Sequence, residues 1–484
     1  MPTKSSLAIL SALVALGCGS GATGAPTPST PATAAPSATQ APAQTDGAAT
    51  APAEAIPTTP GAVRFIADDF TGAMSQAKRD GKVVFVDAWA PWCHTCLSMD
   101  HFVFNQPSLA RFESRVVFTR VDTEREQNGK FLAKYPLDVW PTLFVINPDN
   151  GSLLGVWTGA ASLRELERLL EESLSLRELA RGNKLAPDSA EAQLLAGQKA
   201  ALQDRWPDAA VAYDKAVRSS KADWPRRSEA LFGWIKSLHE ARKAKECVAV
   251  GEKFSKEVHG AALPGEFGRY WFSCANGLPT PAQKSKVRKA AITYLQAVVE
   301  KPSQESSTDD IADAWDILAD ALKDMGDDAG FRKAHERRVA LLEAAAKAAP
   351  SPAAAATFDY ARAGSYAVLG RSDDAVKMLQ ARMKELPDNY EPAARLARLL
   401  HDLGRNAEAR PAIDHVLKLA YGPRRMRYLE LKANIEHALG NEAARVAALE
   451  EEIAAWRAIE KRQGRTPAGL ADAQKRLQAA KEGK

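Results

Sequence analysis

Apolar residues follow two regimes along the chain. Between residues 63 and 178 they gather in short runs separated by helical patterns. Lys82-Val83-Val84-Phe85-Val86 opens a continuous apolar run, the pattern of a strand buried on both faces. Val116 to Val121 predicts a second strand and Thr142 to Ile146 a third. Asn147-Pro148-Asp149-Asn150-Gly151 then reads as a turn into a fourth, Leu153 to Trp157. One helix follows Asp69, one begins at Cys93, and a last one starts at the capping box Ser162/Glu165, ahead of Leu163, Leu166, Leu169 and Leu170. The alternation predicts a mixed parallel and antiparallel α/β domain.

From Pro187 the strand patterns cease, and residues 187–484 read as Ala-, Leu-, Arg- and Glu-rich helix. Leu369-Gly370-Arg371 recurs as Leu403-Gly404-Arg405, 34 residues on, and Leu439-Gly440-Asn441 follows 36 later. Pro350, Pro387 and Pro423 keep step and are expected to end helices. A period near 34, with a Gly turn inside each helix pair, resembles the tetratricopeptide repeat (TPR). Arg205-Trp206-Pro207-Asp208-Ala209-Ala210 looks like the second helix of an earlier, degenerate repeat. The spacing predicts roughly six or seven helix pairs in a right-handed solenoid.

The chain has 484 residues, too many for one core, and its 45% hydrophobic content suffices for several. A net charge of +4 with no Lys/Arg-rich run gives no reason to invoke nucleic acid. Residues 1–18 read as a secretory signal: Lys4 precedes the apolar run Leu7 to Leu16, too short for the ~20 residues of a membrane-spanning helix. Ala15-Leu16-Gly17-Cys18 resembles a bacterial lipobox, which implies a lipidated Cys18; an ordinary signal peptide cut nearby is the alternative. Gly19 after the cysteine implies, by analogy with bacterial sorting, the outer membrane facing the periplasm. Residues 19–62 are almost wholly Ala, Pro, Thr and Ser and cannot bury enough apolar surface to order, so they are expected to form a disordered spacer.

The chemistry concentrates at Trp92-Cys93-His94-Thr95-Cys96. Cys93 would sit at a helix N-terminus, where unpaired N–H groups favour a thiolate. Cys96, three residues on, shares its face and can resolve a mixed disulfide. Cys93 is expected to attack first, as the exposed member of the pair. Val86 to Cys96 resembles the thioredoxin active-site segment, and Tyr135 to Thr142 resembles the segment carrying that family's cis-proline. The stretch Met99, Phe102, Phe104, Pro107, Leu109 is more similar to the C-terminal periplasmic domain of DsbD-type interchange proteins. The resemblance implies a cis Pro141, a substrate strand paired at the Trp140 backbone, and Asp87 buried as the proton acceptor for Cys96. A structural carboxylate is the plainer reading of Asp87. Trp89 and Trp92 would shield the site or simply pack.

His94 and Thr95 replace the Gly-Pro of thioredoxins. A protonated His94 would stabilise the thiolate and make the disulfide more oxidising. Cys93, Cys96 and His101 fall short of a structural zinc site, which needs four ligands. No metal and no cofactor beyond the dithiol is expected. Cys247 and Cys274 are expected to form a structural disulfide across adjacent helices, or to be two separate buried thiols. His239, His259 and His335 show no ligand pattern. Together these features predict an envelope thiol–disulfide oxidoreductase, a reductase or interchange protein acting on protein disulfides, with the repeats binding a protein partner and Cys18 a membrane. A TPR scaffold whose thioredoxin fold serves only for docking is the rival.

Overall fold

A computed structural model describes residues 63–182, 184–463 and 466–483. The signal segment, Cys18 and the Pro-rich spacer lie outside the described residues.

Five strands form one sheet: β1 (Phe65–Ala67), β2 (Val83–Trp89), β3 (Val116–Asp122), β4 (Thr142–Ile146) and β5 (Leu153–Thr158). Their order is β1-β3-β2-β4-β5, with β1, β3 and β2 parallel and β4 antiparallel to both β2 and β5. Successive side chains alternate between faces. Val84, Val86 and Ala88 pack with α1 (Phe70–Arg79) and α3 (Gly129–Lys134). Val83 and Phe85 pack on the opposite face with α2 (His94–Phe102) and α4 (Leu163–Arg181). Phe85, Phe118 and Phe144 are fully buried, each contributing roughly 2–3 kcal/mol by area removed from water. The Ser162/Glu165 capping box opens α4. Its carboxylate has a second use: Glu165 Oε1 accepts the backbone N–H of Ala261 at 2.9 Å, tying the domain to the helices that follow.

Those helices pack in sequential pairs: α5 (Ala190–Ala201) with α6 (Trp206–Ser219), α7 (Arg227–Glu240) with α8 (Ala244–Phe254), and α9 (Leu263–Cys274) with α10 (Pro281–Glu300). Then come α11 (Thr308–Asp324) with α12 (Asp328–Ala348), the short α13 (Pro352–Ala356), and α14 (Asp359–Val368) with α15 (Ser372–Glu385). The last are α16 (Tyr390–Asp402) with α17 (Asn406–Leu419), α18 (Gly422–Ala438) with α19 (Glu442–Gln463), and α20 (Ala468–Lys481). Gly326, Gly370, Gly404 and Gly440 turn the chain inside four pairs with φ of 73–80°. Asp204 and Arg242 hold the same turn at φ 54° and 58°, so the repeat persists where the glycine does not. In all six turns the next N–H donates to the carbonyl five residues back, at 2.7–2.9 Å, which closes the first helix of the pair. Pro423 departs from the expected helix-ending role: it lies in the first turn of α18, where its missing N–H costs nothing. Cys247 on α8 and Cys274 on α9 form a disulfide with Cα atoms 6.0 Å apart. No helix among the described residues is long and apolar enough to cross a membrane.

Candidate active site

The C-terminal end of β2 delivers Cys93 to the N-cap of α2. Cys93 and Cys96 form a disulfide with Cα atoms 5.2 Å apart, and the Cys96 N–H donates to Cys93 Sγ at 3.0 Å. That N–H and the helix dipole stabilise a thiolate on Cys93 once the bond is reduced. The Trp140–Pro141 peptide is cis. Trp92 and Trp140 meet with ring centroids 5.1 Å apart, and with Trp89 they pack around Ala90, Cys93 and Cys96. Trp140 Nε1 donates to Thr123 Oγ1 at 2.8 Å and Trp92 Nε1 to Glu124 Oε1 at 2.8 Å. The tryptophans are thus held by the loop after β3, through hydrogen bonds as well as packing.

Asp87 is buried in β2, and the parallel register sets Arg120 of β3 beside it. Arg120 Nε donates to Asp87 Oδ2 at 3.1 Å, and its Nη2 pairs with Asp100 of α2 at 2.7 Å. Its guanidinium lies 4.6 Å from the Trp89 ring. Burial pushes the Asp87 carboxyl up to about 7, against the opposing pull of Arg120; Asp100 adds to the rise. Asp87 Oδ1 has no hydrogen-bond partner. A carboxyl that titrates near neutrality with one oxygen free is suited to proton transfer.

Helices of the solenoid close over this site. The His94 imidazole stacks on Tyr360 of α14, centroids 5.1 Å apart and planes at 28°. Phe102 stacks on Phe358 at 5.9 Å, and Ser98 hydrogen-bonds Asp309 of α11. On the other side the Tyr421 hydroxyl donates to Asp122 Oδ2 at 2.5 Å, and the Arg424 backbone N–H donates to Glu124 Oε2 at 2.7 Å. The Arg424 guanidinium covers Trp92, 4.6 Å from its ring. Cys93 is left 5% exposed and Cys96 1%, so the expected openness of Cys93 gives way to a covered sulfur.

Burial, reinforced by Arg395 and Arg338, lowers the His94 pKa to about 3. The imidazole is therefore neutral at physiological pH and brings no charge to Cys93, which removes the basis for tuning by a protonated His94. Thr95 Oγ1 lies 3.3 Å from His94 Nε2. His101 is half-buried, and no cluster of three or more His, Cys, Asp or Glu among the described residues could hold a metal ion. Sequence reasoning missed Arg120, Glu124, Tyr360, Arg395, Tyr421 and Arg424. Arg120 had a signal, a lone charge inside the apolar run of β3; the solenoid residues had none, because only tertiary closure brings them here.

Residues 70–174 match the family described as thioredoxin-like domain. Over 84 residues the chain is 29% identical to the thiol:disulfide interchange protein DsbD of Pseudomonas fluorescens, covering 17% of this chain and 14% of that protein. A span of 86 residues is 31% identical to protein disulfide-isomerase 1 of Dictyostelium discoideum, covering 18% of this chain and 23% of that one. The chain therefore spans less than a quarter of either relative. Among solved structures, a tetratricopeptide repeat protein from Parabacteroides merdae aligns over 60% of this chain and 98% of its own, at 12% identity and a TM-score of 0.36. The chain carries a thioredoxin-like domain with a Cys93-His94-Thr95-Cys96 motif, followed by a long TPR-like helical region.

Proposed function

We propose that this protein is a thiol–disulfide oxidoreductase of the bacterial cell envelope, working as a disulfide reductase or interchange protein on polypeptide substrates. The observation that carries the reading is Cys93 at the N-cap of α2, its sulfur accepting the Cys96 N–H, within a domain that also holds a cis Trp140–Pro141 bond. Reduced Cys93 attacks a substrate disulfide and forms a mixed disulfide, releasing one substrate thiol. Cys96 then attacks Cys93 Sγ, releasing the second thiol and leaving the Cys93–Cys96 disulfide. Asp87 takes the Cys96 proton, and the backbone at Trp140 aligns the substrate strand. Cys18 carries a lipid anchor in the outer membrane, and the solenoid engages a protein partner. Reduction of insulin by the full chain, compared with Cys93→Ser, tests the chemistry; equal activity overturns it. Loss of fatty-acid labelling on Cys18→Ser tests the anchor.

The covering of Cys93 favours a second reading, in which the solenoid is a scaffold and the thioredoxin fold only its docking domain. Alkylation of the reduced native protein separates the two. An oxidoreductase modifies Cys93 far faster than Cys247 or Cys274; a scaffold does not.

A further inference from the structure

The solenoid surface that faces the dithiol carries more hydrogen-bond donors than it uses. Arg395 of α16 stands behind Tyr360, its guanidinium 5.0 Å from that ring, and Tyr360 stacks on His94. Arg424 of α18 covers Trp92. Arg395 therefore lies one ring away from His94 and Arg424 directly against Trp92, the residues on either side of Cys93, and both arginines act electrostatically on Tyr360. Two buried carboxylates are nearby, and each has donors of its own. Glu391 accepts the Tyr428 hydroxyl at 2.9 Å and Arg395 Nε at 3.2 Å. Glu124 accepts Trp92 Nε1 and the Arg424 N–H. A third cation, Arg338, pairs with Asp316 at 2.8 Å and Asp313 at 3.5 Å.

What remains is Arg395 Nη1, Arg424 Nε and the hydroxyl of Tyr390, a residue only 5% exposed. All three atoms are buried without a partner, and a buried donor left without an acceptor loses the hydrogen bond that water would have given it. Two of the three sit on permanently charged guanidinium groups, whose planar fork matches a carboxylate. Such donors are expensive to keep idle unless something else uses them.

We propose that Arg395, Arg424 and Tyr390 form a carboxylate-recognition site in the roof over Cys93, selecting disulfide substrates with an acidic group beside the reacting sulfur. The inference rests on the oxidoreductase reading and names its substrate class. A substrate enters by displacing Tyr360 from His94, and its carboxylate takes up the idle donors while its sulfur meets Cys93. The redox step is unchanged: two electrons and two protons leave the Cys93/Cys96 dithiol, and the substrate disulfide becomes two thiols.

The test uses the full chain, pre-reduced, in single turnover against two blocked peptide disulfides that differ only in Asp or Asn after the cysteine. The expected result is a second-order rate about tenfold higher for the Asp peptide, the scale of one charge-assisted hydrogen bond. In Arg395→Gln/Arg424→Gln the Asp-to-Asn rate ratio falls to within about twofold, whatever the change in the two absolute rates, and an unchanged circular-dichroism spectrum and urea midpoint report an intact fold. Arg395→Lys/Arg424→Lys restores part of the preference. Dithiodipropionate and its bis-amide form a second arm. A preference for the acid here as well supports the site with small disulfides as the source; a preference confined to the peptides supports it with polypeptides as the source. Equal peptide rates in the wild type, or a preference that survives the double variant, overturn the inference alone. Failure of the wild type to reduce any probe overturns the oxidoreductase reading with it.

Discussion

The His94 ring lies against Tyr360, centroids 5.1 Å apart, so the residue that follows Cys93 is packed against the far half of the chain. The contact makes the solenoid part of the wall around the Cys93–Cys96 pair. Tyr360→Ala should open that wall. Modification of reduced Cys93 by a bulky maleimide is expected to accelerate several-fold over wild type, while iodoacetamide, small enough to enter already, changes less. Parallel labelling followed by mass spectrometry gives both rates, and an unchanged ratio contradicts the closure.

His94 is held neutral with its pKa lowered to about 3. His94→Gln is therefore expected to move the reduction potential of the Cys93–Cys96 pair by less than about 30 mV, since no charge is lost. Equilibration with glutathione redox buffers measures this. A much larger shift, with a titration near pH 6.5, would mean the imidazole is protonated after all.

Asp87 ordinarily titrates at 3.8 and is pushed to about 7, so the folded protein keeps a proton that the unfolded chain releases between those values. Ionising it costs stability. That cost grows as pH rises from about 4 to about 7 and is constant above. Asp87→Asn removes it, so the urea midpoint of the variant relative to wild type should rise as pH goes from about 4 to about 7 and stay level above, a change that belongs to Asp87 and Asp100 together because they share Arg120. Buried Asp309, pushed up to about 7 as well, titrates in both proteins and cancels in the difference. The same substitution should slow the release of substrate from the mixed disulfide, read by quenched-flow trapping.

Gly422 opens α18 with φ 64°, and a Cβ there would strike the backbone oxygen of Glu124. Gly422→Ala should cost about 1–3 kcal/mol and lift α18 off the loop that holds Trp92. Faster amide hydrogen exchange across 122–124 and the start of α18 is the expected signature; unchanged exchange would rule out this docking point.

Breaking the Cys247–Cys274 bond, which spans 27 residues, should cost about 3.5 kcal/mol by the loop-closure relation. The Cys247→Ser/Cys274→Ser protein is expected to melt earlier yet react normally at Cys93. Loss of the redox chemistry in this variant would mean the second pair takes part in turnover.

The α/β pattern was legible because β2, β3 and β4 are short continuous apolar runs with no competing helical period, and because Ser162 and Glu165 announce α4. The helical repeat was legible only where glycine marks the turn. Asp204 and Arg242 occupy the same left-handed position without it, so the early pairs left little trace. Cys93 and Cys96 stood out by spacing alone. Arg120 was hidden because a strand's neighbour is set by register, which one strand read alone does not give. The roof was invisible for a stronger reason. Tyr360, Arg395, Tyr421 and Arg424 belong to ordinary solenoid helices, and nothing local distinguishes them from residues of a repeat that faces water.

The location of that roof sets a schedule. The thioredoxin-like domain emerges first, and domains generally fold as units. Tyr360 and Arg424 follow only hundreds of residues later, so for that interval the nascent chain carries an uncovered dithiol. Cys247 and Cys274 emerge within the same interval, ahead of the helices that close the site. Completion of the protein's own chain is thus what covers the Cys93–Cys96 pair.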